Sequence, residues 1–451
     1  MFCQEKSAYL KVEKSETERA KVFCDGYRDF LNHVKTEREA AIFCVEYAKS
    51  HGFTEFREGS DYNPGDRVCF INRGKSLSLA VIGQENPSNG VNIVAAHIDS
   101  PRIDLKQNPV YQDSDLVMLK THYYGGIKKY QWTTIPLALH GDVVTQSGVV
   151  HVNIGENSGD PVFVISDLLP HLAREQMAKK GSEIIKGEGL NILFGSEQQD
   201  DDDDKDGVKT NILRILKEKY GIVEEDFISA ELSAVPAFQA ADVGLDCSLL
   251  GGYGQDDRVC AYTALEAIVN LKSPNKTAFL FLADKEEVGS MGNTGMKSTF
   301  FAGTVSRLFP DLSLHGILSA SACLSADVCA AFDPNYKSVQ EKTNAPQLNH
   351  GLTITKYTGS GGKSGSSDAN AEFVGKIRQI FNASGVAWQI GELGKVDQGG
   401  GGTVAQFLAN LNIDVLDCGV PVLSMHSPYE VTGKLDVYMA FKGYNAFFEQ
   451  G

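Results

Sequence analysis

Short apolar runs recur along this chain, and each ends at, or is broken by, a histidine or a carboxylate. They are VNIVAAHID with His97 and Asp99, the turn GYGQDDR with Asp256, FLFLADKEE with Glu286 and Glu287, LSADVCAAF with Asp327, and PVLSMH with His426. A strand that is apolar at successive positions has no face to offer water and must be covered on both sides. Several such strands commit a chain to a central sheet sandwiched by helices, and the helical spacing in CAYTALEAIVNL and ANAEFVGKIRQIF supplies the covering layers. The fold class read from this pattern is α/β, a mixed central sheet flanked by helices. In open sheets of that kind ligands bind at the carboxyl ends of the strands, so the polar residues that end the runs are expected along one edge.

Each of these residues alone has an ordinary explanation. His97 and Asp99 fit a satisfied pair, Asp256 and Asp257 a helix start that suits the helix dipole, Glu286 and Glu287 an exposed turn, and His426 a capping residue. Adjacent glutamates repel if buried without cations, and an aspartate inside an apolar run is rare unless paired. Their joint placement favours a single site. Two histidines and three carboxylates, with one further Glu beside a ligand Glu, are the inventory of a two-metal hydrolytic centre. One carboxylate bridges the ions, each ion takes a histidine and another carboxylate, and the spare Glu accepts a proton from water. Residues two apart on extended chain share a face, so Asp99 can accept from the His97 ring and fix its tautomer. The doubled acid leaves the bridge at Asp256 or Asp257.

At 451 residues two domains are expected. Helices are predicted from a capping box at Ser15–Glu18 to about His33, and from Thr36 and Glu39 to a stop at Gly52. RVCFIN and SLSLAVIG read as strands. Alternating segments then read as hairpins, followed by one helix in LLPHLAREQMAKKG and a solvated acidic loop over 200–206. The α/β rhythm returns after Gly244, which gives a catalytic body at 1–102 and 245–451 with a β-rich insert at 103–244. A formal charge of −16 argues against nucleic acid, and no apolar run reaches the length of a membrane span. The start shows no signal-peptide core. Nine scattered cysteines without a CxxC read as thiols of a reducing, cytoplasmic compartment. GSGGKSGS fails as a phosphate loop because Tyr357 stands where the first glycine belongs.

HIDSPR, the Asp pair ahead of ALEA, DKEEVGS, SADVCAAFDPNY and PVLSMHS together resemble the M18 family of zinc aminopeptidases over essentially the whole chain. The resemblance implies a zinc-exopeptidase-like body, an inserted domain that builds the oligomer, and two Zn2+ per chain, with Co2+ or Mn2+ able to substitute. It implies His97 and Asp327 on one ion, His426 and Glu287 on the other, Asp256 as bridge, Glu286 as general base, Asp99 behind His97, and a cis bond between Asp256 and Asp257. The implied substrates are peptides with a free N-terminus, and the implied assembly is a homo-oligomer, a tetrahedral dodecamer. Aspartyl-type members carry an insert histidine that reaches a neighbouring subunit, for which His171 is the nearby candidate here. Asp333 stands before PNY where some members have histidine. Both departures bring the chain closer to the aminopeptidase I branch, whose substrates have neutral N-terminal residues. Two other readings fit the same residues, a dinuclear deacylase or carboxypeptidase and a catalytically silent assembly protein of the same fold.

Overall fold

The computed structural model describes residues 6–198 and 205–451, so most of the acidic run lies outside the described residues. The chain divides into two compact units, one of Met1–Ser100, Ala240–Met425 and Tyr429–Gly451, the other of Pro101–Gln239 and His426–Pro428.

The first unit is built on a nine-stranded mixed sheet. At its centre Ala278–Ala283 runs parallel to Asn92–His97, which is parallel to Ala322–Ser325, and that strand to Asp414–Gly419. The first three are buried at every position. Alternation sends their side chains to opposite faces. Val94, Ala96, Leu280, Leu282 and Leu324 join a core with the helices Lys14–His33, Gln255–Asn270 and Lys434–Gln450. Ile93, Ala95, Phe279, Phe281 and Cys323 join a second core with Phe301, Val305 and Leu408. The α/β class is therefore observed, with large sheets flanked by helices. A smaller five-stranded sheet carries Leu249–Gly252, Glu430–Gly433 and Pro421–Leu423 side by side.

The second unit is an antiparallel six-stranded sheet in the order Gly148–Ile154, Leu137–Thr145, Ala230–Pro236, Arg102–Asp113, Leu116–Tyr124, Ile192–Gly195. Its longest helix is Gly207–Tyr220.

Thr36 and Glu39 form the expected capping box, and Glu37–Ser50 follows. Ser15 does not cap: the first long helix begins at Lys14 with Glu13 ahead of it and no side-chain cap. The buried stripe Ala20, Cys24, Tyr27, Phe30, Leu31 holds that helix without one. LLPHLAREQMAKKG is not one helix but a turn and a single helical turn, Arg174–Met177. Leu168, Leu169, Leu172 and Met177 are all at least half exposed, and a helix with no buried face has nothing to offset its nucleation cost. His171 lies exposed in that turn. The apolar run around Asp327 is not one strand either: Ala322–Ser325 belongs to the large sheet, Cys329–Ala330 to the small one, and Asp327 sits at the break. No helix among the described residues is long and apolar enough to cross a membrane.

Candidate metal centre

Parallel register brings three strand ends level. Ala283 pairs with His97 across one side of the central strand and Ser325 with Ala95 across the other. The residues that leave those ends are Asp284–Glu287 and Asp327. The fourth contribution comes from the start of the helix Gln255–Asn270, where Asp256 and Asp257 have non-helical backbone and a cis peptide bond between them. Gly254, at φ +75°, makes this entry possible: a Cβ there would lie 1.8 Å from Arg258 Nη1.

His97 is the hub. Its Nε2 lies 3.2 Å from Asp256 Oδ1, 3.9 Å from Asp327 Oδ1 and 4.0 Å from Glu286 Oε2. Its Nδ1 lies 3.0 Å from the Asp99 carbonyl oxygen and 3.3 Å from Asp99 Oδ1, acceptors that set the tautomer leaving Nε2 to face the acids. The fully buried Asp99 carboxylate also accepts the Glu286 N–H at 3.0 Å and the Glu287 N–H at 3.2 Å, so one side chain orients the histidine and pins the glutamate turn. Of the doubled acids, Asp256 turns toward the imidazole and Asp257 accepts the backbone N–H of His97 at 3.3 Å. Ligand atoms of His97, Asp256 and Asp327 all lie within 4.8 Å of one another, as do those of His97, Glu286 and Glu287. His426 belongs to the second unit, where its Nδ1 is 2.9 Å from the Gly126 carbonyl oxygen and its φ is +64°.

Several residues outside the run ends also build the site. Ser100 Oγ donates to the Asp256 carbonyl at 2.6 Å, and the Asp256 N–H donates to Glu430 Oε2 at 3.1 Å. Below the glutamate turn, Asp284 accepts from Lys285 Nζ at 2.7 Å and from Thr294 Oγ1 at 2.6 Å. Backbone-directed contacts of this kind leave no periodic trace in a sequence. The Glu at the end of HSPYE and the Asp that opens DKEE were visible signals, each hidden beside a more obvious one.

Burial alone lowers the His97 pKa, but the Asp256 and Asp99 hydrogen bonds and the charges of Asp257 and Glu286 carry it well above its ordinary value. Burial pushes the Asp257 and Asp327 carboxyls well up. Repulsion from Asp257, Glu286 and Asp256 adds to the shift at Asp327. Clustered buried carboxylates carry both costs, and a divalent cation removes both by supplying the counter-charge. One imidazole and several carboxylates are a donor set that suits zinc.

The profile of the aminopeptidase I zinc metalloproteases (M18) matches residues 30–448. A probable M18 family aminopeptidase 1 of Clostridium acetobutylicum is 50% identical over 453 aligned residues, 98% of this chain and 97% of that one. A probable M18 family aminopeptidase 2 of Pseudomonas syringae is 29% identical over 94% of this chain and 97% of its own. The crystal structure of the M18 aminopeptidase from Thermotoga maritima superposes with a TM-score of 0.95, at 42% identity and with all of both chains covered.

Proposed function

Because this chain belongs to the M18 family of zinc metalloproteases, we propose that it is an aminopeptidase that removes N-terminal residues from peptides at a dinuclear zinc site with a glutamate general base. The carrying observation is the strand-end cluster, in which His97 Nε2 faces Asp256, Asp327 and Glu286 while Asp99 holds both the ring and the glutamate turn. In this reading His97 and Asp327 would hold one ion, Glu287 and His426 the other, and Asp256 would serve both. When bound, the ions supply Lewis acidity and lower the pKa of the attacking water.

The chain's own residues do the rest. Glu286 accepts the proton of the water and returns it to the leaving amine. Its side chain is 19% exposed, against 5% for Asp256 and 10% for Asp327, which suits a group that must meet substrate. Asp99 keeps the Nδ1 proton on His97 and fixes where Glu286 starts. The substrates are peptides with a free N-terminus, and the 42–50% identity to relatives named aminopeptidase 1, against 29% to one named aminopeptidase 2, supports the aminopeptidase I branch, for which the resemblance implies neutral N-terminal residues. The exposed Leu168, Leu169, Leu172 and Met177 support a homo-oligomer, in this reading the tetrahedral dodecamer.

The test is turnover of amino-acid p-nitroanilides across N-terminal residue types, with N-acyl amino acids alongside. Expected is hydrolysis of neutral p-nitroanilides, abolished by chelation and restored by Zn2+, Co2+ or Mn2+. Hydrolysis of N-acyl amino acids instead would reassign the enzyme as a deacylase, and no turnover with added metal would leave an assembly protein. Light scattering should give a particle far heavier than the 48.9 kDa chain.

A further inference from the structure

Glu430 opens the strand Glu430–Gly433 and is 1% exposed. A buried carboxylate at a strand start is costly and calls for a partner. Its Oε2 accepts the backbone N–H of Asp256 at 3.1 Å, and its own carbonyl accepts from Gln255 Nε2 at 2.9 Å. Gln255 is held in turn by Tyr27, whose hydroxyl donates to Oε1 at 3.2 Å, and by the Leu250 carbonyl, which accepts from Nε2 at 2.9 Å. On the other side of Asp256, Ser100 Oγ grips the carbonyl. The peptide groups on both sides of Asp256 are thus fastened, the N–H to a carboxylate and the C=O to a hydroxyl. This stretch needs the support, because Asp256 and Asp257 lie outside helical geometry and the helix ladder does not fix them.

Resting on the dinuclear reading above, we propose that Glu430 is a positioning residue for both metal ions at once, acting through the backbone of Asp256. The hydrogen bond from the Asp256 N–H to Glu430 Oε2, at 3.1 Å, is directional and sets the peptide plane from which the Asp256 side chain projects. If Asp256 bridges, a shift of that plane moves a ligand of both ions. A change at Glu430 then weakens both ions together, whereas a change at Glu287 weakens one. The acceptor oxygen at the reach of a glutamate is what matters, with its charge secondary.

Two variants separate these features. Glu430→Gln keeps an acceptor oxygen at the same reach. Glu430→Asp keeps the charge but falls one methylene short. Metal-free protein of each, with wild type, Glu287→Gln and Asp256→Ala, is titrated with Zn2+ against a chelator of known affinity, and thermal unfolding of the metal-free forms is recorded alongside. Expected is a Glu430→Asp variant that unfolds like wild type when metal-free but binds both ions about 10–100-fold more weakly, and a Glu430→Gln variant close to wild type. Wild-type affinity for both ions in Glu430→Asp, weakening of one ion only, or equal weakening in Glu430→Gln would each overturn the proposal. Asp256→Ala is the separate control: if it keeps both ions, Asp256 is not the bridge and the reading on which this proposal rests fails, whatever Glu430 does.

Discussion

The two large sheets of this protein solve opposite problems. In the first unit the central strands Asn92–His97, Ala278–Ala283 and Ala322–Ser325 are buried at every residue. In the second unit Leu116–Tyr124 and Gly148–Ile154 alternate, and the latter leaves four of seven residues exposed. Parallel strands covered on both faces can show polar groups only at their ends, and there His97, Glu286, Glu287 and Asp327 stand. Antiparallel hairpins spread polar groups along one face and leave surface for something else to use. Chemistry therefore concentrates where the chain has least freedom, and half-exposed apolar residues such as Val144 and Val149 remain in the other sheet.

The largest expected effect breaks the comparison if it fails. Glu286→Gln keeps the shape of the side chain and removes only its basic oxygen. Turnover should fall by about 10²–10⁴, with metal content and particle size unchanged. Glu287→Gln should instead weaken one ion, with part of the activity recovered in excess metal. If Glu286→Gln kept near-normal turnover while Glu287→Gln lost turnover with both ions bound, the two roles would be exchanged.

Stability should follow the same division. Phe281 is fully buried and stacks on Phe301 at 5.4 Å between ring centres. Phe281→Ala should cost about 3–5 kcal/mol in chemical denaturation. Val149, half exposed in the second unit, should cost within about 0.5 kcal/mol as alanine. A loss well above that would show its outward face to be covered in the assembled protein.

The smallest effect is a change of slope with pH. Asp417 lies buried within the strand Asp414–Gly419, accepting from Thr403 Oγ1 at 2.6 Å, and burial pushes its carboxyl up to about 6 against the opposing hydrogen bonds from Thr403 and Ser325. The unfolded carboxyl titrates near ~4. Between these values the folded state holds a proton that the unfolded state has lost, so stability is full below about pH 4 and declines as pH rises to about 6. Asp417→Asn should flatten that part of the curve relative to wild type in thermal unfolding. An unchanged slope would show that Asp417 is ionised in the fold throughout.

The central strands were legible because two-sided burial writes an unbroken apolar run, and the residues that end those runs were legible as interruptions. What the runs do not encode is which atoms meet. The grip of Asp99 on the N–H groups of Glu286 and Glu287, and of Glu430 on that of Asp256, is made by side chains on backbone far away in sequence. LLPHLAREQMAKKG shows the reverse failure. Its spacing suits a helix, but a helix needs a surface to bury against, and among the described residues Ala173 is the member of that stretch found buried.

The central claim is that Asp256 serves two ions at the strand-end edge. Elemental analysis of the purified protein, wild type against Asp256→Ala, tests it most directly. The account predicts about two divalent ions per chain in the wild type and neither in the variant. Full metal content in Asp256→Ala would contradict it and move the bridge to another residue, Asp257 first.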